Sequence, residues 1–250
     1  MECVVLGEEI SVVIPFYNTP LEYFKECVDS VKALHPKEII LVDDCSSDLE
    51  LVTFARTCGC IYLRTSYQSG HDGLPFNAGV QCASGNYVCR VDSDDRLLAF
   101  PKQIDTDIFF ARNERVKIDE HLKIEHLILA PRALCNGMIV KREVLLKYPY
   151  PHDHYVFGDV LFALRMMHNR HSWSVNESVN YFYRKREDSI QTSHSPLHHR
   201  FRLIETVARF CSLEKMTSEQ AEYYLQLAWM NFKYGHKSLQ LYEQHMHHSP

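Results

Sequence analysis

The chain has no apolar run approaching the ~20 residues that a membrane-crossing helix needs, so an ordinary helical span is excluded. Its start, Met-Glu-Cys-Val-Val-Leu-Gly-Glu-Glu, lacks the basic region and unbroken apolar core of a secretory signal, and a cytoplasmic placement is expected. Basic residues are not in excess. With 27 Lys and Arg against 32 Asp and Glu, the net charge of -5 gives no general pull toward nucleic acid. Neither the Walker pattern nor G-x-G-x-x-G occurs, so the familiar backbone cradles for phosphate are missing. The nine cysteines are odd in number and lack paired C-x-x-C spacing, which argues for reduced thiols over a disulfide framework or zinc knuckles. What remains is ordinary globular composition, 46% hydrophobic and 24% charged. At 250 residues it suffices for one domain with an appendage and a substantial core.

The first hundred residues alternate strand and helix patterns. "ISVVIP" from Ile10 is a buried β-branched strand stopped by Pro15, and Leu21, Phe24, Val28 and Val31 then recur at helical steps behind Pro20. "EIILVDD" is a second strand, after which Ser46, Ser47 and Asp48 offer caps for a helix over 48–58. "CIYLR" is a third strand, a helix is expected over 74–83, and "NYVCRV" is a fourth strand. Such alternation implies parallel pairing in a doubly wound α/β sheet, whose ligands bind beyond the carboxyl ends of the strands. "DTDIFFA", "NGMIVK" and "SVNYFYRK" read as further strands, and "VLFALRMM" as a helix that begins near Asp159. Residues 200–210 and 217–242 read as helices, the second opening on a Thr217-x-x-Gln220 capping box. The expected organisation is a catalytic domain over 1–196, with halves 1–95 and 96–196, and a helical extension over 197–250.

The fourth strand runs into three carboxylates, Asp92, Asp94 and Asp95, whose mutual repulsion asks for a cation or a hydrogen-bond-rich ligand. Turn-forming or helix-capping acids are the plain alternative. A calcium loop of the EF-hand kind fails, because Leu97 and Gln103 stand where Gly and Glu would be required. A hard divalent cation that takes few carboxylates and completes its shell with water and phosphate oxygens suits an open strand-end site.

Four segments in order, "ISVVIPFYN" at 10–18, "IILVDDCSSD" at 39–48, "FNAGVQCASGNYVCRVDSDD" at 76–95 and "FGDVLFALRM" at 157–166, resemble the successive motifs of glycosyltransferase family 2. The resemblance implies a GT-A fold: a Rossmann-like, mostly parallel sheet flanked by helices, here with a C-terminal helical appendage. It implies inverting transfer of a sugar from a nucleotide diphosphate, with UDP expected, to a hydroxyl of a glycan or lipid-linked acceptor in surface polysaccharide synthesis. Pro15 and Tyr17 match the motif that lines the base, and Asp43 and Asp44 match the acids that hydrogen-bond it. Asn77 and Asp92 fall among the donor-binding positions. Asp94 and Asp95, assisted by Asp92, match the D-x-D region that binds Mn²⁺ or Mg²⁺, and His194 is a further candidate ligand because some GT-A enzymes place a C-terminal histidine on the metal. Asp159 matches the general base; its alternative is an ordinary acid in the first turn of a helix. Two positions depart from the family: Gly158 replaces the usual Glu, and Pro75-Phe76-Asn77 replaces Ala-Arg-Asn, which removes a cation.

Two rival functions share some of these features. A nucleotidyltransferase also uses strand-end acids, yet it would want a glycine-rich, basic first loop, which Pro15-Phe16-Tyr17-Asn18 does not offer. A nucleotide-sugar-binding module without turnover draws modest support from the two departures, Gly158 and Phe76. Arg184-Lys185-Arg186 is a candidate contact for a diphosphate or a lipid phosphate. The aromatic residues of the tail, Tyr223, Tyr224, Trp229, Phe232 and Tyr234, suit packing on the catalytic domain, a homodimer, or peripheral contact with the inner face of a membrane.

Overall fold

The computed structural model describes residues 6–114, 121–131, 134, 136–152, 157–185 and 195–246. Its first half follows the alternation in the sequence: β1 (Ile10–Phe16), α1 (Leu21–Lys32), β2 (Glu38–Asp43), α2 (Leu49–Thr57), β3 (Ile61–Arg64), α3 (Gly73–Cys82) and β4 (Tyr87–Arg90). Every residue of β1 is buried, as its unbroken apolar pattern requires of a central strand covered on both faces. α1 turns Phe24, Cys27, Val28 and Val31 into the core, and Asp48 caps α2 by accepting from the N–H groups of Glu50 and Leu51.

Then come β5 (Arg96–Leu97), β6 (Ile108–Phe110), α4 (Ile124–Leu129), β7 (Ile139–Lys141), α5 (Arg142–Lys147), α6 (Gly158–His168), β8 (Trp173–Val175) and β9 (Tyr181–Phe182). The main sheet has the order β3-β2-β1-β4-β7-β6-β8, and β5 pairs with β9 in a small sheet of their own. β1, β2, β3 and β4 run parallel, whereas β7 lies antiparallel to both β4 and β6. The α/β class and the mostly parallel sheet read from the sequence are thus what the chain forms.

Two compact units result. One holds Met1–Ile118, Leu134–Tyr155 and His171–Arg184; the other holds Asp119–Ala133, Val156–Arg170 and Lys185–Pro250. All nine strands named above belong to the first unit. The second is helical: α4 and α6 join α7 (Pro196–Leu213), α8 (Ser218–Tyr234) and α9 (Ser238–Met246). The capping box at Thr217 and Gln220 forms as expected. The helix expected over 217–242 does not run through, however, because Gly235 takes a positive φ of 57° and a short 3₁₀ turn separates α8 from α9. The strand read in "SVNYFYRK" likewise shrinks to Tyr181 and Phe182.

One close approach holds α3 on the sheet. A Cβ at Gly79 would run into Val13 Cγ1 and come within 3.2 Å of Val42 Cγ2. Alanine would gain about 1 kcal/mol of helix propensity, but overpacking against β1 costs typically 1–3 kcal/mol, and the all-buried central strand has little room to yield. Gly79→Ala is therefore expected to lower the melting temperature by a few degrees in a thermal unfolding scan. An unchanged or higher value would show that α3 shifts freely over the sheet.

Candidate active site

The carboxyl ends of β1, β2 and β4 lie side by side in the first unit, because β1 pairs with both of the others. Their loops are laced together. Asn18, held at a φ of 45°, accepts from the N–H groups of Ser47 at 2.8 Å and Asp48 at 3.2 Å, while its own N–H donates to Ser46 Oγ. Thr19 and Ser93 share a hydroxyl contact of 2.7 Å, joining the loop after β1 to the acidic turn. Pro15 is buried opposite Val42, and the Tyr17 ring stands 44% exposed at the rim.

Asp43 and Asp44 are buried and already well supplied with donors. Asp43 accepts from Ser46 N–H at 2.7 Å, Tyr62 hydroxyl at 2.8 Å and Arg64 Nη1 at 2.7 Å. Asp44 takes both the N–H and the hydroxyl of Ser69, with Thr65 Oγ1 at 3.1 Å. These two acids therefore fix the loop after β3 against the end of β2. Asn77, on α3, is also engaged: it donates to Tyr150 O at 2.8 Å and accepts from Tyr150 N–H at 2.9 Å.

The acidic turn shows what offsets its crowded charge. Arg90, on β4 and 2% exposed, donates through Nε and Nη2 to Asp92 Oδ1 and through Nη2 to Asp72. Its guanidinium lies 4.8 Å from the Tyr150 ring centroid and 5.6 Å from that of Phe76. A cation thus sits over the ring that stands where the family has Arg, delivered from the neighbouring strand. The sequence reading passed over Arg90; its signal was an arginine within an otherwise buried strand pattern.

Two further residues come from distant parts of the chain. Asn136 Nδ2 donates to Oδ2 of both Asp92 and Asp95. The buried Tyr181 hydroxyl donates to Asp95 Oδ2 at 2.8 Å and accepts from Asp92 N–H at 3.1 Å. The Asn136-Gly137 pair was the available signal for a turn ahead of β7. Gly137 has a φ of 73°, and a Cβ there would strike the Tyr181 ring, so this approach requires glycine.

Asp95 is 1% exposed, and burial together with the neighbouring Asp92 raises its carboxyl to about 7, against the pull of Arg184 N–H and Tyr181. Burial also raises Asp92, while Arg90 opposes it. Arg184 was a candidate for phosphate contact, but its side chain is used within this unit. It reaches Asp94 O at 2.8 Å and Glu26 at 2.6 Å, stacked 4.2 Å from the Tyr23 centroid. Lys185 is exposed; Arg186 and His194 lie outside the described residues.

Asp94 is half-buried, and Asp95 turns fully inward. Among the described residues no group of three or more His, Cys, Asp or Glu side chains is placed to hold a metal ion. This donor set fits a hard cation only if ligand oxygens and water complete the shell.

Asp159 belongs to the helical unit. It occupies the first turn of α6, where Oδ1 accepts from Val160 N–H at 2.9 Å. The residue that caps this helix, Phe157, is left-handed at a φ of 64°, and its ring meets that of His199 at 6.2 Å. A non-glycine residue in that conformation carries strain of order 1–3 kcal/mol, which tends to accompany functional positions.

The sheet order and the strand-end loops define a GT-A fold. TarS of Staphylococcus aureus, residues 1–349 in complex with UDP-GlcNAc, matches with a TM-score of 0.64 at 22% identity, over 92% of this chain and 73% of that one. Its complex with UDP matches with a TM-score of 0.59, covering 91% and 72%. Residues 11–103 match the model of glycosyl transferase family 2. The poly(ribitol-phosphate) beta-glucosyltransferase of Bacillus spizizenii is 26% identical over 211 residues, 72% of this chain and 33% of that protein. The poly(ribitol-phosphate) beta-N-acetylglucosaminyltransferase TarS of S. aureus is 35% identical over 96 residues, 36% of this chain and 17% of that protein. The chain therefore spans a third or less of the length of these two relatives.

Proposed function

We propose that this chain transfers a sugar from a nucleotide diphosphate donor of the UDP type to a hydroxyl of a surface glycan or lipid-linked acceptor, with inversion. The observation that carries the reading is the meeting of the loops after β1, β2 and β4, which gathers Tyr17, Asp43, Asp44 and Asp92 to Asp95 at neighbouring strand ends. The names of the relatives favour a polymer of polyol phosphate as acceptor. On this reading Pro15, Tyr17, Asp43 and Asp44 shape the seat of the base, while Asn77 and Asp92 order the ribose and diphosphate side. Asp159 takes the proton of the acceptor hydroxyl as that oxygen attacks the anomeric carbon.

Asp94, with Asp95 behind it, would hold a divalent cation, Mn²⁺ or Mg²⁺. When bound, that ion supplies positive charge against the diphosphate leaving group. Arg90 and Tyr181 hold the carboxylates of the turn.

Thermal unfolding with a panel of nucleoside diphosphates and nucleotide sugars, each with and without Mn²⁺, tests the donor class. A ligand at a hundred times its Kd adds about 2.7 kcal/mol to the stability of a native state that alone binds it. UDP with Mn²⁺ is expected to give the largest rise, and Asp94→Ala to remove its Mn²⁺-linked part. If no nucleoside diphosphate stabilises the chain, the donor class is wrong; if UDP affinity ignores Mn²⁺ in calorimetry, the cation is.

A further inference from the structure

The helical unit carries an exposed aromatic surface to which the proposed transfer assigns no role. α8 buries Leu227, Ala228 and Asn231, and Asn231 Nδ2 donates to Leu129 O of α4 at 2.8 Å, so this face of α8 is committed to the interior of the unit. Its other face presents Trp229, 58% exposed, stacked on Phe232 at 5.1 Å between centroids and 10° between planes. Phe232 in turn meets Phe201 of α7 at 4.9 Å, and Phe201 and Leu197 are 53% and 54% exposed. Trp229 and Phe201 are thus joined through the half-buried Phe232, with exposed Leu197 one turn before Phe201.

Cations lie at one end of this surface: Lys233 stands one turn after Trp229 on α8, Lys237 closes the 3₁₀ turn that follows, and both are exposed. Arg200 donates to Phe232 O at 2.9 Å beneath the rings. Arg202 at the α7 side is offset by Glu205.

We propose that this surface seats the chain on an anionic lipid bilayer, with Trp229, Phe201 and Leu197 at the depth of the headgroups and Lys233 and Lys237 facing lipid phosphates. Indole and phenyl rings beside lysines are the side chains that partition to the interface, where the rings leave water and the ammonium groups remain solvated among anions. No helix among the described residues is long and apolar enough to cross a membrane, so the contact is one of surface seating. The proposal is independent of the donor site, so its failure leaves the transfer reading intact.

Flotation of the full chain with vesicles of phosphatidylcholine alone, or of phosphatidylcholine mixed with phosphatidylglycerol, provides the test. The chain is expected to float with the phosphatidylglycerol vesicles, to stay behind with neutral ones, and to be released by added salt. Trp229→Ser with Phe201→Ser should lower the partition coefficient at least about tenfold. Lys233→Glu with Lys237→Glu, at exposed positions that fold readily, should lower it by more than about fivefold for each charge. In a Trp173→Phe background, Trp229 emission should shift to the blue on binding. Three results would overturn the proposal: no flotation with anionic vesicles, flotation unchanged in both double variants, or a dimer abolished by Trp229→Ser in a chain that ignores lipid.

Discussion

Arg90→Met is expected to cost about 1.5–3 kcal/mol of folding stability, the range for losing charge-assisted hydrogen bonds, because the guanidinium is buried while its acid partners are 28% and 51% exposed. Arg90 is enclosed by Asp92 in the turn that follows its strand, Asp72 ahead of α3, and the rings of Phe76 and Tyr150. Asp72 is half exposed, so water recovers much of what it loses. Asp92 differs: burial already raises its carboxyl, and Arg90 is the first influence opposing that rise. Without the guanidinium, Asp92 must either ionise without a countercharge or take up a proton. Arg90→Lys should fall between, since a point charge cannot bridge two carboxylates and stack on two rings together. Urea unfolding of both variants measures the losses. An Asp92→Asn background should reduce the cost of Arg90→Met, because the stranded charge is then gone. A loss under about 1 kcal/mol, or one indifferent to Asp92→Asn, would remove Arg90 from its place as the countercharge of the turn.

The parts legible in the sequence were those set by local pattern. β1, β2, β3 and β4 announce themselves through short β-branched runs that stop at polar loops, and alternation with helices made their parallel pairing readable. The acids were legible for the same reason: Asp43, Asp44 and Asp92 to Asp95 terminate strands, and strand ends are where such sheets bind ligands.

What could not be read depends on residues far apart in the chain. β7 falls within the strand read in "NGMIVK", but a three-residue strand carries no mark of its direction, so its antiparallel insertion beside β4 could not be read. Asn136 and Tyr181 reach the acidic turn from 44 and 89 positions away, and no local pattern marks an asparagine or tyrosine for that duty. Arg184 shows the opposite error. A basic triplet suggests an open anion site, yet this guanidinium is drawn inward by Glu26, the Asp94 carbonyl and the face of Tyr23. Competition among these partners is decided only in the folded chain.

If the proposed transfer holds, Asp159→Asn is expected to lower its rate about 10²–10⁴-fold, the span typical of losing a positioned general base, while binding of the nucleotide sugar stays near its original affinity. Asparagine retains an oxygen that can accept from Val160 N–H, so the first turn of α6 keeps its local bond. Neutralising an acid in that turn forfeits its interaction with the helix dipole, typically 0.3–1 kcal/mol. The two roles open to this residue therefore give different patterns. If Asp159 serves only the helix start, the melting temperature drops by a degree or two and turnover follows the folded fraction. If it takes the acceptor proton, turnover collapses in a chain that remains folded at the assay temperature, and Asp159→Glu restores part of it. Single-turnover transfer, donor affinity and melting temperature measured on the same preparations separate these cases. Transfer by Asp159→Asn at a rate comparable with the parent chain would return this carboxylate to the capping role and leave the base to be found elsewhere.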